Sequence, residues 1–154
     1  MAKAGQEPRK AKLYVWPFEA EPPRPISSEG EWGALAVSPD GQWVAAASAT
    51  SGLVLYPSGG GAARSVPGGE EGDQPRRWSP DGRWLYVQRP DPQPARVDRI
   101  DVLTGERRLW KEIMPADPTG VLGVVGVIPT PDGRGYAYSY RSQLLSLYLA
   151  EGLR

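Results

Sequence analysis

Ser38-Pro39-Asp40-Gly41, Ser79-Pro80-Asp81-Gly82 and Thr130-Pro131-Asp132-Gly133 are three copies of one phrase, and they decide the fold. Each stands between two runs of β-favouring residues and so reads as the tight turn of a β-hairpin. Proline pre-sets φ near about −65° at the first turn position, and aspartate hydrogen-bonds the backbone two residues on. Glycine accepts the positive φ that closes a short bulged loop. Two copies are followed by an aromatic residue at the same place, Trp43 and Trp84, whereas the third has Gly135 there and Tyr136 next.

Spacing turns the hairpins into a repeat. Ser38 and Ser79 lie 41 residues apart, and Ser79 and Thr130 lie 51 apart, which brackets the period of four-stranded propeller blades. Helical solenoids share such periods, but no interval here sustains a 3.6-residue apolar pattern, and proline or glycine interrupts nearly every window of helix length. The 19 glycines, 17 prolines, six tryptophans and seven tyrosines fit a loop-rich, all-β chain. Disorder is excluded by apolar stretches such as Trp84-Leu85-Tyr86-Val87 and Val121-Leu122-Gly123-Val124-Val125.

The strand map follows. After a flexible N-terminus (1–11), Lys12 to Phe18 and Arg24 to Ser27 form the outer strands of a partial blade (12–30). A full blade (31–70) runs through Trp32 to Ser38, Trp43 to Ala49, Leu53 to Tyr56 and Arg64 to Pro67. A second (71–116) runs through Arg76 to Ser79, Trp84 to Arg89, Arg96 to Asp101 and Glu106 to Trp110. The C-terminal partial blade (117–154) offers Val121 to Ile128, Tyr136 to Tyr140 and Leu144 to Ala150. The expected architecture is a partial β-propeller of antiparallel four-stranded blades, two full and two partial, whereas closed rings need about four to eight. The unpaired edge at LLSLYLA is an expected site of self-association.

These phrases, in AVSPDGQWVAAAS, RRWSPDGRWLYVQR and IPTPDGRGYAYSY, resemble the WD-like repeats of TolB-type propellers, in which an S-P-D-G hairpin joins the first two strands of a blade. The run RVDRIDVLTGERRLWKEIMPADPTG and the ending YSYRSQLLSLYLAEGLR resemble the C-terminal propeller of large bacterial signalling proteins, serine/threonine kinases or winged-helix regulators. The resemblance implies a non-catalytic sensor or docking module with a protein or peptide partner. The gating propeller of a prolyl-oligopeptidase-type peptidase is the alternative. Either parent leaves the bacterial cytoplasm and periplasm both open.

Chemistry is bounded mainly by exclusion. Eighteen basic residues balance eighteen acidic ones, so no general attraction to nucleic acid or an anionic membrane is expected. No apolar run is long enough for membrane insertion, and the N-terminus lacks the apolar core of a signal peptide. With neither histidine nor cysteine, the chain has no Ser-His-Asp or Cys-His machinery and no usual zinc site, and no phosphate-binding or kinase motif is present. No catalytic residue, cofactor or metal is therefore expected. Glu70, Glu71 and Asp73 read as a solvated acidic loop, Asp98 and Asp101 as a charged outer strand face answering Arg96 and Arg99, and Gly59-Gly60-Gly61 as a connection. Arg76 and Arg77 fall on an innermost strand, where period-2 alternation sets Arg76 beside Trp78 and Arg77 beside Ser79. One of these arginines is expected to line the channel mouth as an anion or peptide contact, with an ion pair to a carboxylate such as Asp73 as the competing role.

Overall fold

The computed structural model describes residues 11–16, 22–30, 32–48, 50–89 and 93–145. It builds two complete four-stranded antiparallel sheets. The first holds β3 (Trp32–Val37), β4 (Trp43–Ser48), β5 (Gly52–Pro57) and β6 (Arg64–Ser65), paired in that order. The second holds β7 (Gln74–Trp78), β8 (Trp84–Gln88), β9 (Ala95–Asp101) and β10 (Arg107–Ile113), likewise in sequence order. Before them β1 (Tyr14–Val15) pairs with β2 (Arg24–Pro25), and after them β11 (Val121–Pro129) pairs with β12 (Tyr136–Ser142). This is an all-β partial propeller of two full blades and two partial ones. No helix among the described residues is long and apolar enough to cross a membrane.

Blade edges shift slightly from the sequence map. The second blade begins at Gln74 rather than Arg76, because Gln74 and Pro75 pair with Gln88 and Val87. Of the expected last strand, Leu144 and Leu145 lie outside any strand, and Ser146 to Ala150 lie outside the described residues, as does Phe18.

The three phrases close in one geometry. Ser38 Oγ donates to Asp40 Oδ1 at 2.5 Å and accepts the Trp43 amide at 2.9 Å, while Asp40 Oδ1 accepts the Gln42 amide at 3.0 Å. The Gly41 amide returns to Ser38 O at 2.9 Å, with Gly41 at φ 70°. Ser79, Asp81, Gly82 and Trp84 repeat every bond, and so do Thr130, Asp132, Gly133 and Gly135. Hydroxyl donation, then the backbone amide, holds the Asp40, Asp81 and Asp132 carboxyls below the usual range. The serine or threonine is thus the hub of the turn, receiving from the backbone and giving to the aspartate.

Sheet alternation sends apolar side chains to both faces, as blades sandwiched between neighbours require. Ala45, Leu53 and Leu55 pack against Trp78, Leu85, Val87 and Ile100 between the full blades. The opposite face of the first blade sets Val44, Ala46, Val54 and Tyr56 against Leu13, Val15 and Ile26 of the β1–β2 hairpin. On the far side of the second blade, Tyr86, Ala95, Val97 and Ile113 meet Val124 and Val127. Trp43, at its place after the turn, packs against the core between the full blades. Trp84 is half-buried beneath the guanidinium groups of Arg99, Arg83 and Arg108, at 4.8, 5.4 and 5.5 Å from its ring centroid. The two tryptophans at matching places after their turns thus differ: Trp43 joins the core between blades, and Trp84 lies under three guanidinium groups.

Two glycine classes follow, and they predict different losses. A Cβ on Gly41 or Gly82 would meet nothing within 4 Å, so Gly41→Val and Gly82→Val carry only backbone strain, of order 1–3 kcal/mol. A Cβ on Gly105 would lie 2.8 Å from backbone and side-chain atoms of Pro67 in the first blade, adding a clash between blades to its φ of 78°. Thermal unfolding should rank Gly105→Ala as more damaging than Gly82→Ala; equal melting temperatures would contradict the close approach.

Candidate functional site

The inner strands carry the polar side chains of greatest interest. β7 does not alternate evenly: Pro75 pairs with Val87 and Arg77 with Tyr86, leaving Arg76 bulged between them. The bulge takes Arg76 out of its expected grouping with Trp78. Trp78 faces the first blade, where its Nε1 donates to Ala36 O at 3.0 Å, while both arginines reach β11 on the other side. Arg76 Nη2 donates to Gln74 Oε1 at 2.7 Å and to Val125 O at 3.2 Å; Arg77 Nη1 donates to Pro129 O at 3.1 Å. Among the described residues neither arginine meets a carboxylate, so the ion-pair role expected with Asp73 falls elsewhere. Burial lowers Arg76, whose Nε is buried without a hydrogen-bond partner among the described residues.

Asp73 is not part of a solvated loop. Its side chain is fully buried and accepts from Arg107 Nη1 at 3.3 Å, Arg89 Nε at 3.2 Å and the Glu70 amide at 2.8 Å, with Arg107 Nη2 on its second oxygen. Glu70 pairs with Arg89 at the rim, and only Glu71 is the expected exposed carboxylate without an ion pair among the described residues. Arg107 also donates to Asp98 Oδ2 at 3.0 Å and to Gly68 O at 3.1 Å, so one guanidinium joins the β6–β7 connection to β9. Burial alone would lower Arg107, but Asp73 and Asp98 outweigh it and raise it.

The expected pair Asp98 and Asp101 is likewise buried rather than an outer charged face. Asp98 takes Arg96 Nε at 2.9 Å as expected, whereas Arg99 stacks on Trp84 instead. Asp101 caps the turn after β9, accepting the amides of Leu103 at 2.9 Å and Thr104 at 3.0 Å, while Arg83 Nε donates to its other oxygen at 2.6 Å. These bonds, the Thr104 amide foremost, hold its carboxyl down at about 2. The glycine run is an open connection between β5 and β6, with Gly60 N on Pro57 O at 3.0 Å.

Gln88 was invisible in the sequence. It is fully buried; its Nε2 donates to Val124 O at 3.1 Å and its Oε1 accepts the Val127 amide at 3.0 Å. Those two backbone groups flank the register shift of β11 between Val124 and Gly126, so an amide side chain from the second blade supplies the partners that the bulge removes. No group of three or more metal-ligating side chains gathers among the described residues.

These features define a TolB-type β-propeller fold. A structure assigned as TolB from Agrobacterium tumefaciens superposes with a TM-score of 0.61 at 22% identity, over 82% of this chain and 46% of that one. TolB from Acinetobacter baumannii superposes with a TM-score of 0.55 at 16% identity, over 86% of this chain and 38% of that one. The chain thus spans less than half the length of these structures, and the likeness is one of fold. No protein-family model matches the chain, and no curated protein matches it.

Two outcomes test the site. Replacing Gln88 by leucine orphans Val124 O and Val127 N inside the core, at about 1–3 kcal/mol for each; amide exchange at Val127 should accelerate, and an unchanged rate would refute the clamp. Because the folded Asp101 carboxyl titrates below an unfolded aspartate, its stabilisation is complete above about pH 4 and lost as the pH falls through about 2. The melting-temperature gap between the parent and Asp101→Asn should therefore narrow over that interval.

Proposed function

We propose that this chain is a non-catalytic binding segment of a TolB-type propeller that takes a protein or peptide partner. The observation that carries the reading is the contrast in how charged groups are used. Asp73, Asp98 and Asp101 are engaged by arginines and turn amides, so none of these three buried carboxylates is left in a pair poised for acid–base work. Arg76 and Arg77, by contrast, each hold the backbone of β11 with one terminal nitrogen and keep the other unbonded among the described residues. A peptide carboxylate laid along the inner strands is the ligand those donors suit. The wider context in this reading is a bacterial signalling protein, supported by the resemblance of the run from Arg96 to Gly120.

A displayed random-peptide library provides the test. Peptides rich in Asp and Glu should be enriched, and Arg77→Gln should weaken the selected peptides about tenfold, the size of one charge-assisted hydrogen bond. Enrichment indifferent to carboxylates, or to both arginines, would refute the assignment. Pure protein should also show no hydrolase, kinase or nuclease turnover; activity that persists through repurification and vanishes on changing Glu70, Glu71 or Asp73 would replace the binding reading with an enzymatic one.

A further inference from the structure

Eight aspartates occur in the chain, and the three that precede a glycine, Asp40, Asp81 and Asp132, all stand in the repeated turns. Asparagine is absent, so aspartate alone can give rise to an isoaspartyl backbone here. Glycine favours that chemistry because it puts no side chain in the path of attack and leaves the backbone free to turn. The glycine amide nitrogen attacks the aspartyl Cγ; a C–N bond forms, the Cγ–O bond breaks, and the carboxyl oxygen leaves as water with the carboxyl and amide protons. Water then opens the succinimide ring at the former backbone carbonyl, which routes the chain through Cβ and Cγ and frees an α-carboxyl. One water leaves and one returns, with no other reactant.

In each turn both reacting groups are occupied. The amides of Gly41, Gly82 and Gly133 donate to Ser38 O, Ser79 O and Thr130 O, each at 2.9 Å. Asp40 Oδ1 accepts the Ser38 hydroxyl and the Gln42 amide, Asp81 Oδ1 the Ser79 hydroxyl and the Arg83 amide, and Asp132 Oδ1 the Thr130 hydroxyl and the Arg134 amide. Loss of water requires a protonated carboxyl, whereas these bonds favour the carboxylate, in keeping with the lowered titration of all three. The hydroxyl cannot turn away without loss, since Ser79 Oγ also accepts the Trp84 amide at 2.9 Å and Ser38 Oγ the Trp43 amide at 2.9 Å. Yet Asp40, Asp81 and Asp132 are exposed. Water and an enzyme can reach them, so local hydrogen bonds rather than burial withhold the reaction.

We propose that Asp40–Gly41, Asp81–Gly82 and Asp132–Gly133 are modification sites, latent isoaspartyl bonds kept closed by the hydroxyl two residues before each aspartate. A turn that loses this hold cyclises. The extra backbone atom of the product parts the Gly82 amide from Ser79 O and opens the hairpin whose strands set Trp78 and Gln88 against the adjoining blades. The freed α-carboxylate, on an exposed turn, suits a carboxyl methyltransferase of the isoaspartyl class: its oxygen takes the methyl group of an S-adenosyl sulfonium donor, which departs as a thioether.

Ageing the full 154-residue chain at mildly acidic pH tests this, with isoaspartate counted by enzymatic methyl transfer and located by mass spectrometry of its peptides. The folded parent should isomerise at Asp81 far more slowly than the same chain in urea. Ser79→Ala should raise the rate at Asp81 alone about tenfold, as loss of one hydrogen bond to a charged group implies. Ser79→Thr should keep the parent rate, because threonine makes the same bonds at position 130. Pro80→Ala loosens the turn but retains the hydroxyl, and should raise the rate less than Ser79→Ala. An unchanged rate at Asp81 in Ser79→Ala, or an equal rise in Pro80→Ala, would overturn the hydroxyl's role. Should Ser79→Ala accelerate all three sites together, the variant has unfolded and the urea comparison decides: a parent that isomerises as fast folded as in urea refutes the latent state, and a protected parent upholds it.

Discussion

Among the described residues, neighbouring blades share no hydrogen-bonded ladder, and the contacts between them answer that constraint. Within a sheet the backbone satisfies itself; between sheets only side chains can make connections. This chain meets the requirement in two ways. Each full blade presents apolar residues on both faces, so Leu53 and Leu55 serve one interface while Val54 and Tyr56 serve the other. Long polar side chains then reach carbonyls of the adjoining inner strand: Trp78 to Ala36, Arg77 to Pro129, and Gln88 to both sides of a bulge. Hydrophobic burial supplies the attraction, and these directed bonds fix the register at which blades stack.

Bulges and clamps are coupled. All three innermost strands carry a register shift, between Trp32 and Leu35 in β3, between Pro75 and Arg77 in β7, and in β11 around Val125. A bulge sharpens the twist, which suits strands crowded toward an axis, but it removes ladder partners from the backbone. Gln88 replaces them in the C-terminal partial blade. The same disruption makes Arg76 an unpaired position on its strand and lets it turn toward β11 beside Arg77, so the device that shapes the inner wall also places its cations.

What the sequence disclosed divides along the same line. The turns were legible because serine, proline, aspartate and glycine form them with partners at most five residues away, as Trp43 N on Ser38 Oγ shows. The blades followed from the turns and from alternation. Asp73 was misread because its arginine at position 107 lies 34 residues off, and Gln88 was missed because its partners lie 36 and 39 residues off. Local pattern cannot mark a buried polar residue whose satisfaction is nonlocal; an acidic residue in GGEEGDQP looks like surface until β10 delivers a guanidinium to it. The Arg76 alternation failed for a related reason, since period-2 reasoning has no way to register an extra residue in one strand.

The ion-pair network around Asp73 shows how buried charge serves as architecture. A buried carboxylate is costly unless several donors surround it, and breaking such an arrangement typically costs about 3–5 kcal/mol. Asp73 is surrounded by two arginines and a backbone amide from three different segments, so its burial penalty is offset only when β8, β10 and the loop from Glu70 are correctly assembled. Arg107 extends the condition by holding Asp98 on β9 and the Gly68 carbonyl at once. The network therefore penalises misregistered strands more than it adds attraction, and it does so where the glycine-close contact between Pro67 and Gly105 brings backbone from successive blades together. Specificity of stacking is what these carboxylates supply.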